Sequence, residues 1–325
     1  MKQMRFYLNL IKERYTVFKN LLTILLATVS LSVFADPYKE IPKTVQFIMP
    51  YGPGSVSDIQ YRDFEAFMLT KGIRLIAIYK PGANSVIAAN ELISSPKDGS
   101  VIMMNATSNS WLAEQRIGKP VIEPITTTGG ILNVVTTQPG SKYDSYDKFV
   151  KALRDKDPGL QVSWHAVSHL LYMNQITDKL GVDMPTLVPY KTSTDPARDA
   201  AGGHLSVAFI PYTTARPFLE NGKLKIIFGF SPGNSNILPK GEVDLKKKLP
   251  SWKQGELFFV GLPPGTDQRI VDAWGLIYKE YLGLKETEEY FHKNFISKDV
   301  GGPKYVAEVI ALQAASFKKY NVEVK

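Results

Sequence analysis

Cysteine is absent from all 325 residues. That removes disulfide frameworks, thiolate metal sites, cysteine nucleophiles and the acylated cysteine of a lipoprotein. Histidine is scarce, with four in the chain, and only His165 and His169 stand close enough to share one helix face. There is no H-E-x-x-H, no G-x-S-x-G elbow, no G-x-G-x-x-G after a strand and no Lys-Ser/Thr closing a phosphate loop. No repeat of 20–50 residues appears, which excludes solenoids and propellers. Neither sign of charge dominates, with 39 bases against 31 acids. Enzyme is therefore the minority reading, resting only on His165 or His169 as a base.

One apolar run stands out. Residues 1–20 hold Lys2, Arg5, Lys12, Arg14 and Lys19 against Glu13. The run from Leu21 to Phe34 follows, and small residues at Val33 and Ala35 precede Asp36-Pro37. A basic stretch, an apolar core and a small-x-small exit describe a secretory signal peptide over residues 1–35. As a helix the core reaches about 21 Å, short of the ~30 Å hydrocarbon layer. A retained anchor is the alternative. Removing five bases and one acid leaves +4 of the +8 net charge. That suits a small anionic ligand and is too weak for nucleic acid.

Beyond the leader, strands alternate with helices. Strands are expected at Val45–Tyr51, Ile73–Tyr79 and Ser100–Ala106, with helices at Gln60–Lys71 and Val86–Ile93. Ser57 with Gln60 has the form of a capping box. A strand at Gly130–Gly140 leaves this unit. A second run follows, with helix Tyr146–Lys156, strand Leu160–Trp164, helix Ser168–Leu180, strand Thr186–Tyr190, helix Asp195–Ala201, and strands Leu205–Ile210 and Leu224–Phe230. Glu256–Leu262 reads as a returning strand, and helices occupy Asp267–Leu282, Glu286–Asn294 and Pro303–Tyr320. The pattern predicts an α/β protein of two lobes, each a mostly parallel sheet flanked by helices, with a ligand cleft between them. Lobe 1 is expected over 36–138 and 258–325, lobe 2 over 139–257, hinged at Val134–Pro139 and Phe258–Leu262.

The strand-to-helix turns carry the candidate chemistry. Met49 to Gln60 aims backbone N–H groups and a helix N-terminus at one spot, which welcomes a carboxylate or phosphate. Ser55 and Ser57 add hydroxyls. Lys80 to Glu91 supplies a tight turn in which Ser85 caps the next helix. Val162 to Leu170 is a third such turn; with the helix starting near Ser168, His165 falls in the turn, so the two histidines are not presented together as a zinc pair. Trp164 and His165 are expected to line the cleft. In Val188–Leu205, Lys191 is a candidate anion partner, with an exposed surface lysine the expected role.

Taken in order, these segments resemble the Bug-type extracytoplasmic solute receptors of tripartite tricarboxylate transporters. MPYGPGSVSDIQYR is similar to the family's first loop at Pro50, Pro53, Gly54, Ser57 and Asp58. YKPGANSVIAA echoes N-R-P-G-A-G-G-x-x-G-A at Pro81, Gly82, Ala83 and Ala88, and Pro96–Gly99 echoes a P-x-D-G turn. His169-Leu170, then Val188–Lys191 with Pro196, Ala197, Asp199, Gly202 and Gly203, continue the likeness, as do NGKLKIIFGFS and GLPPGT. The resemblance implies a two-lobed, non-enzymatic periplasmic receptor, a monomer needing no cofactor or metal. Such a receptor closes on a small organic anion, a carboxylate, and hands it to integral-membrane permease subunits. An extracytoplasmic sensor or an orphan interaction protein on the same fold is the alternative.

The resemblance also implies the site: Tyr51, Pro53, Gly54, Ser55, Val56, Ser57 and Asp58 in one loop, and Trp164, His165, Ala166, Val167 and Ser168 in the other. Asn105, Thr192 and Pro211 join from neighbouring strand ends. The chain departs from the pattern where family glycines become Ser55 and Val56, where Gly and Ser/Thr become His165 and Ala166, where Thr192 replaces a glycine, and where Ile210 replaces an acid. Side chains at such positions reshape the pocket, so a ligand unlike the commonest ones is expected.

Overall fold

Strand β1 (Thr44–Met49) is buried from Phe47 onward and starts a unit of parallel strands joined by helical crossovers. It pairs in parallel with β2 (Arg74–Tyr79) and β3 (Val101–Ala106), the crossovers being α1 (Val56–Thr70) and α2 (Val86–Ser94). The computed structural model describes residues 36–232, 237–249 and 256–322, so the leader expected over 1–35 lies outside the described residues. Residues 40–325 form one contact unit that holds every element below.

Helix α3 (Thr107–Ile117) leads from β3 to β4 (Glu123–Ile131), yet β4 does not lie beside β3. The returning strand β10 (Leu257–Leu262) inserts between them, antiparallel to both, and β11 (Ile296–Ser297) closes that edge. Sheet order is therefore β11-β4-β10-β3-β1-β2. Phe64 stacks on Tyr278 at 4.3 Å, with Phe47, Trp274 and Tyr281 buried around it, fixing α1 and α9 (Gln268–Gly283) on the sheet. Helices α10 (Lys285–Lys293) and α11 (Pro303–Lys319) complete the chain.

The second sheet begins immediately after β4. Strand β5 (Asn133–Thr137) pairs antiparallel with β8 (Ala208–Pro211) and β9 (Lys225–Phe230). Strands β6 (Gln161–Trp164) and β7 (Thr186–Pro189) form a parallel pair joined to this sheet by a bridge from Val162 to Val207. Helices α4 (Tyr146–Arg154), α5 (Val167–Leu180), α6 (Thr194–Ala201), α7 (Tyr212–Glu220) and the single turn α8 (Leu245–Lys248) flank it. Its core gathers Phe149, Tyr172, Phe209, Phe228 and Phe230.

Three details differ from expectation. Parallel pairing holds for β1–β2, β1–β3 and β6–β7, whereas strands that cross between the sheets or return beside them run antiparallel. The single strand expected at Gly130–Gly140 is two, divided at Leu132, where the chain changes sheet. Helices α3 and α7 were not expected: α3 opens on the polar run Thr-Ser-Asn-Ser, and α7 contains Pro217.

Candidate ligand-binding site

The first loop is held by Asp58. Its carboxylate accepts the Gly54 N–H at 2.7 Å, the Tyr79 hydroxyl at 2.7 Å and the Arg62 guanidinium at 3.1 Å. The buried acid thus fixes Gly54 at φ 79°, a left-handed backbone suited to glycine. Helix α1 begins at Val56, and its cap is Ser55, whose hydroxyl accepts from the Asp58 N–H and meets Ser57 Oγ at 2.9 Å. This corrects the capping box expected at Ser57 and Gln60. The N–H groups of Val56 and Ser57 have no intrahelical acceptor. Pro53 is exposed at the tip.

The second loop is contorted. Gly82 sits at φ 120°, and Ala83, Asn84 and Ser85 follow at 47°, 49° and 72°. Ser85 does not cap α2 as expected. Its hydroxyl donates instead to Asn105 Oδ1 at 3.0 Å and accepts from Asn109 Nδ2 at 3.2 Å. Asn109 Nδ2 also donates to the Tyr51 hydroxyl at 2.9 Å. Tyr51 packs edge-on against Phe258 at 5.7 Å. Three loops of the first sheet are thereby tied into one polar cluster.

Glu256 extends that cluster toward the second sheet. Only 3% exposed, it accepts the Ser108 N–H at the start of α3 at 3.1 Å. Burial pushes its carboxyl above the ordinary range, while the nearby hydroxyls of Ser168, Ser108 and Thr107 pull the other way. Ser168 belongs to the first turn of α5, so one carboxyl stands between two helix starts. Burial first, and then the charge of Glu256, raises the Tyr51 phenol well above its ordinary value.

The second-sheet loop enters α5 through Trp164, His165 and Ala166. Ala166 is the extended cap residue (φ −126°) and offers no side-chain bond, so the N–H groups of Val167 and Ser168 point outward from the helix start. His165 and His169 meet edge to face with ring centres 4.4 Å apart. This corrects the expectation that they are not presented together. His169 also stacks on Phe209 at 4.3 Å, and its Nε2 lies 3.3 Å from Asn133 Oδ1. Burial lowers His165 to about 4 and holds His169 well below its usual range, with the neighbouring ring adding to the latter. The pair is neutral, and among the described residues no group of three or more His, Cys, Asp or Glu could hold a metal ion.

Of the residues expected at the site, Tyr51 and Asn105 share the buried cluster and Ser168 stands beside Glu256. Thr192 is exposed and its hydroxyl is bonded to Asp195 at 2.7 Å; Pro211 ends β8 and caps α7. Sequence reasoning missed Ser85, Asn109 and Glu256. The available signal for Glu256 was a lone acid before the wholly apolar strand LFFVGL.

Residues 69–297 match the model of the tripartite tricarboxylate transporter family receptor. The chain belongs to this family. Its members are solute-binding receptors, and the similarity reaches well beyond the matched span. Protein BugT of Bordetella pertussis is 24% identical over 277 residues, which is 82% of this chain and 83% of that protein. Among solved structures, the periplasmic binding protein BugD superposes with TM-score 0.73 at 18% identity, covering 87% of this chain and 99% of that one. Rpa4515 of R. palustris, solved with adipate, gives 0.75 at 20% identity over 86% of this chain and 98% of that one. MatC from Rhodopseudomonas palustris, with bound malate, gives 0.70 at 18%, over 86% and 99%. The receptor family's fold, two α/β lobes, is therefore the fold of this chain.

Proposed function

We propose that this receptor captures a small organic anion, a carboxylate, in a cleft between its lobes and delivers it to the permease of a tripartite tricarboxylate-type transporter. The observation that carries the reading is a pair of helix starts from different sheets. Helix α1 offers the Val56 and Ser57 amides, and α5 offers those of Val167 and Ser168; the α5 start adjoins the Tyr51–Asn109–Ser108–Glu256 cluster through Ser168, and Tyr51 stands in the loop that leads into α1. Unpaired amides at the positive end of a helix dipole hold a carboxylate without a lysine or arginine. The adipate and malate held by two structural relatives support the same class of ligand. The expected leader supports a periplasmic location, and among the described residues no helix is long and apolar enough to cross a membrane. Asp58, turned to its own loop, is the positioning residue of the α1 start.

We place the lobes on the two sheets. We set the boundary at Leu132, in place of residue 138, with the return at Glu256; the pairing of β5 with β8 and β9 supports this. The two crossings are neighbours, Ile131 N–H donating to Glu256 O at 3.0 Å. That adjacency suits a hinge.

Proline tests the amides directly. Val56 and Val167 are first helical residues that follow extended residues, Ser55 at ψ 166° and Ala166 at ψ 145°. Proline is accepted at such positions. Val56→Pro and Val167→Pro each delete one N–H and leave the helix. Titration calorimetry over mono-, di- and tricarboxylates is expected to find a saturable ligand for the wild type and at least about tenfold weaker binding in each variant, one charge-assisted bond amounting to about 1.5–3 kcal/mol. No saturable heat with any carboxylate would overturn the reading.

A further inference from the structure

The acid at the centre of the cluster has a consequence for the ligand. Glu256 is buried between the starts of α3 and α5, with its Oε1 on the Ser108 N–H. Among the described residues no lysine or arginine pairs with it. Three hydroxyls stand near its carboxyl, from Ser168, Ser108 and Thr107, and its charge is felt by Tyr51 in the first loop and by Tyr172 in α5. The position at the start of α3 that could have taken a ligand anion is therefore already taken by one of the protein's own. The first amides of α1 and α5 have no intrahelical acceptor.

We propose that Glu256 is a specificity-determining residue that limits the ligand to one carboxylate end and requires a hydrogen-bond donor, an amide, hydroxyl or ammonium, at the end facing Glu256. The proposal rests on the carboxylate reading above and goes further than it. A second carboxylate brought to this acid would meet a like charge in surroundings that screen poorly, which disfavours the doubly ionised state. A donor meets an acceptor there instead. Selectivity thus comes from an internal repulsion as much as from an attraction. Adipate, held by one structural relative, is a dicarboxylate, the kind of ligand this proposal disfavours here.

The test compares ligands of one length and shape that differ at one end. Titration calorimetry on the exported protein measures succinamate against succinate, glutaramate against glutarate and adipamate against adipate. In the best-fitting length the half-amide is expected to bind at least tenfold more tightly than the diacid. Glu256→Gln, which keeps shape and removes charge, is expected to bring the two within about threefold, a loss of at least about half of the 1.4 kcal/mol that a tenfold preference represents. A wild-type protein that binds diacid as well as or better than half-amide overturns the proposal, as does an unchanged ratio in a folded Glu256→Gln. Should that variant not fold, the wild-type ratios decide alone. Binding of both ligand kinds with equal affinity defeats this proposal and leaves the carboxylate reading standing. Binding of neither defeats both.

Discussion

Ser85 holds a left-handed backbone at φ 72° that its side chain does nothing to ease. An L-residue there costs roughly 1–2 kcal/mol. What offsets the strain is the hydroxyl, bonded to both Asn105 and Asn109. Ser85→Ala keeps the strain and removes one bond from each of two buried amides, which retain Ala106 N–H and Tyr51 as partners, so a loss of about 1–3 kcal/mol is expected in urea unfolding. Ser85→Gly loses the same bonds and relieves the backbone, so its loss is expected to be about 1 kcal/mol smaller. The opposite order would refute the strain argument. Glycine here would give backbone ease, whereas serine supplies a fixed hydroxyl beside Tyr51. His165 and His169 allow a second residue-scale prediction. Each faces the other's ring; Asn133 and Phe209 also face His169, and no acid acts on either. Their folded values lie below the ordinary 6.5, so below that pH the unfolded chain takes up protons first. Stability is complete above about pH 6.5 and falls as pH drops toward 4, by up to about 1.4 kcal/mol per unit for each ring. Glu256, raised by burial, works in the opposite sense. Comparison with His165→Gln isolates the histidine contribution: the drop in melting temperature between about pH 7.5 and pH 5 is expected to shrink in the variant. Equal drops would show that the pair does not titrate on unfolding.

At the scale of elements, helix α11 acts as a strap across α3 and α5. Phe317 stacks on Trp111 of α3 with centroids 4.6 Å apart and packs with Leu112, Val167 and Leu171. Two and three residues on, the Lys319 ammonium and the Tyr320 hydroxyl reach Asp178 of α5 at 3.2 and 2.8 Å. The strap therefore joins helices whose starts flank Glu256. Phe317→Ala is expected to cost about 3–5 kcal/mol and to weaken carboxylate binding, because Val167, the first residue of α5, loses its support. Asp178→Asn, at an exposed pair, is expected to cost under about 1 kcal/mol. Denaturant unfolding separates the two, and an equal cost would contradict the packing argument. The elements best legible in the sequence were those with an unbroken apolar run or helical period. β1 to β3 with their crossovers, α5 and α11 lie within a residue or two of expectation except α1, which starts four residues earlier at its serine cap. Helix α3 escaped because its first turn is polar, and it is polar because Ser108 and Asn109 serve the cluster. The strand-to-helix loops of the site were visible as turns. Glu256 was not, since its partner Ser108 lies 148 residues away and no local pattern records that meeting.

At the scale of the molecule, a chain without cysteine has no covalent staple, and stability must come from its cores and its ligand. A carboxylate that binds only the folded state adds about 2.7 kcal/mol at a hundredfold excess over Kd. The same ligand has a second effect if the two lobes hinge at their adjacent crossings, Leu132 and Glu256. A single compact body of about 290 residues has a radius of gyration near 19 Å. Two lobes standing apart exceed that, and a ligand bridging the α1 and α5 amides draws them together, because it gains one set of contacts in the open state and both in the closed. Small-angle scattering is expected to report a fall in radius that tracks saturation in calorimetry. Val167→Pro weakens the second-lobe contact and leaves the first, so at saturating ligand it is expected to bind with a smaller fall in radius than wild type. Full saturation without any change in radius in the wild type would separate binding from closure and remove the hinge from the mechanism.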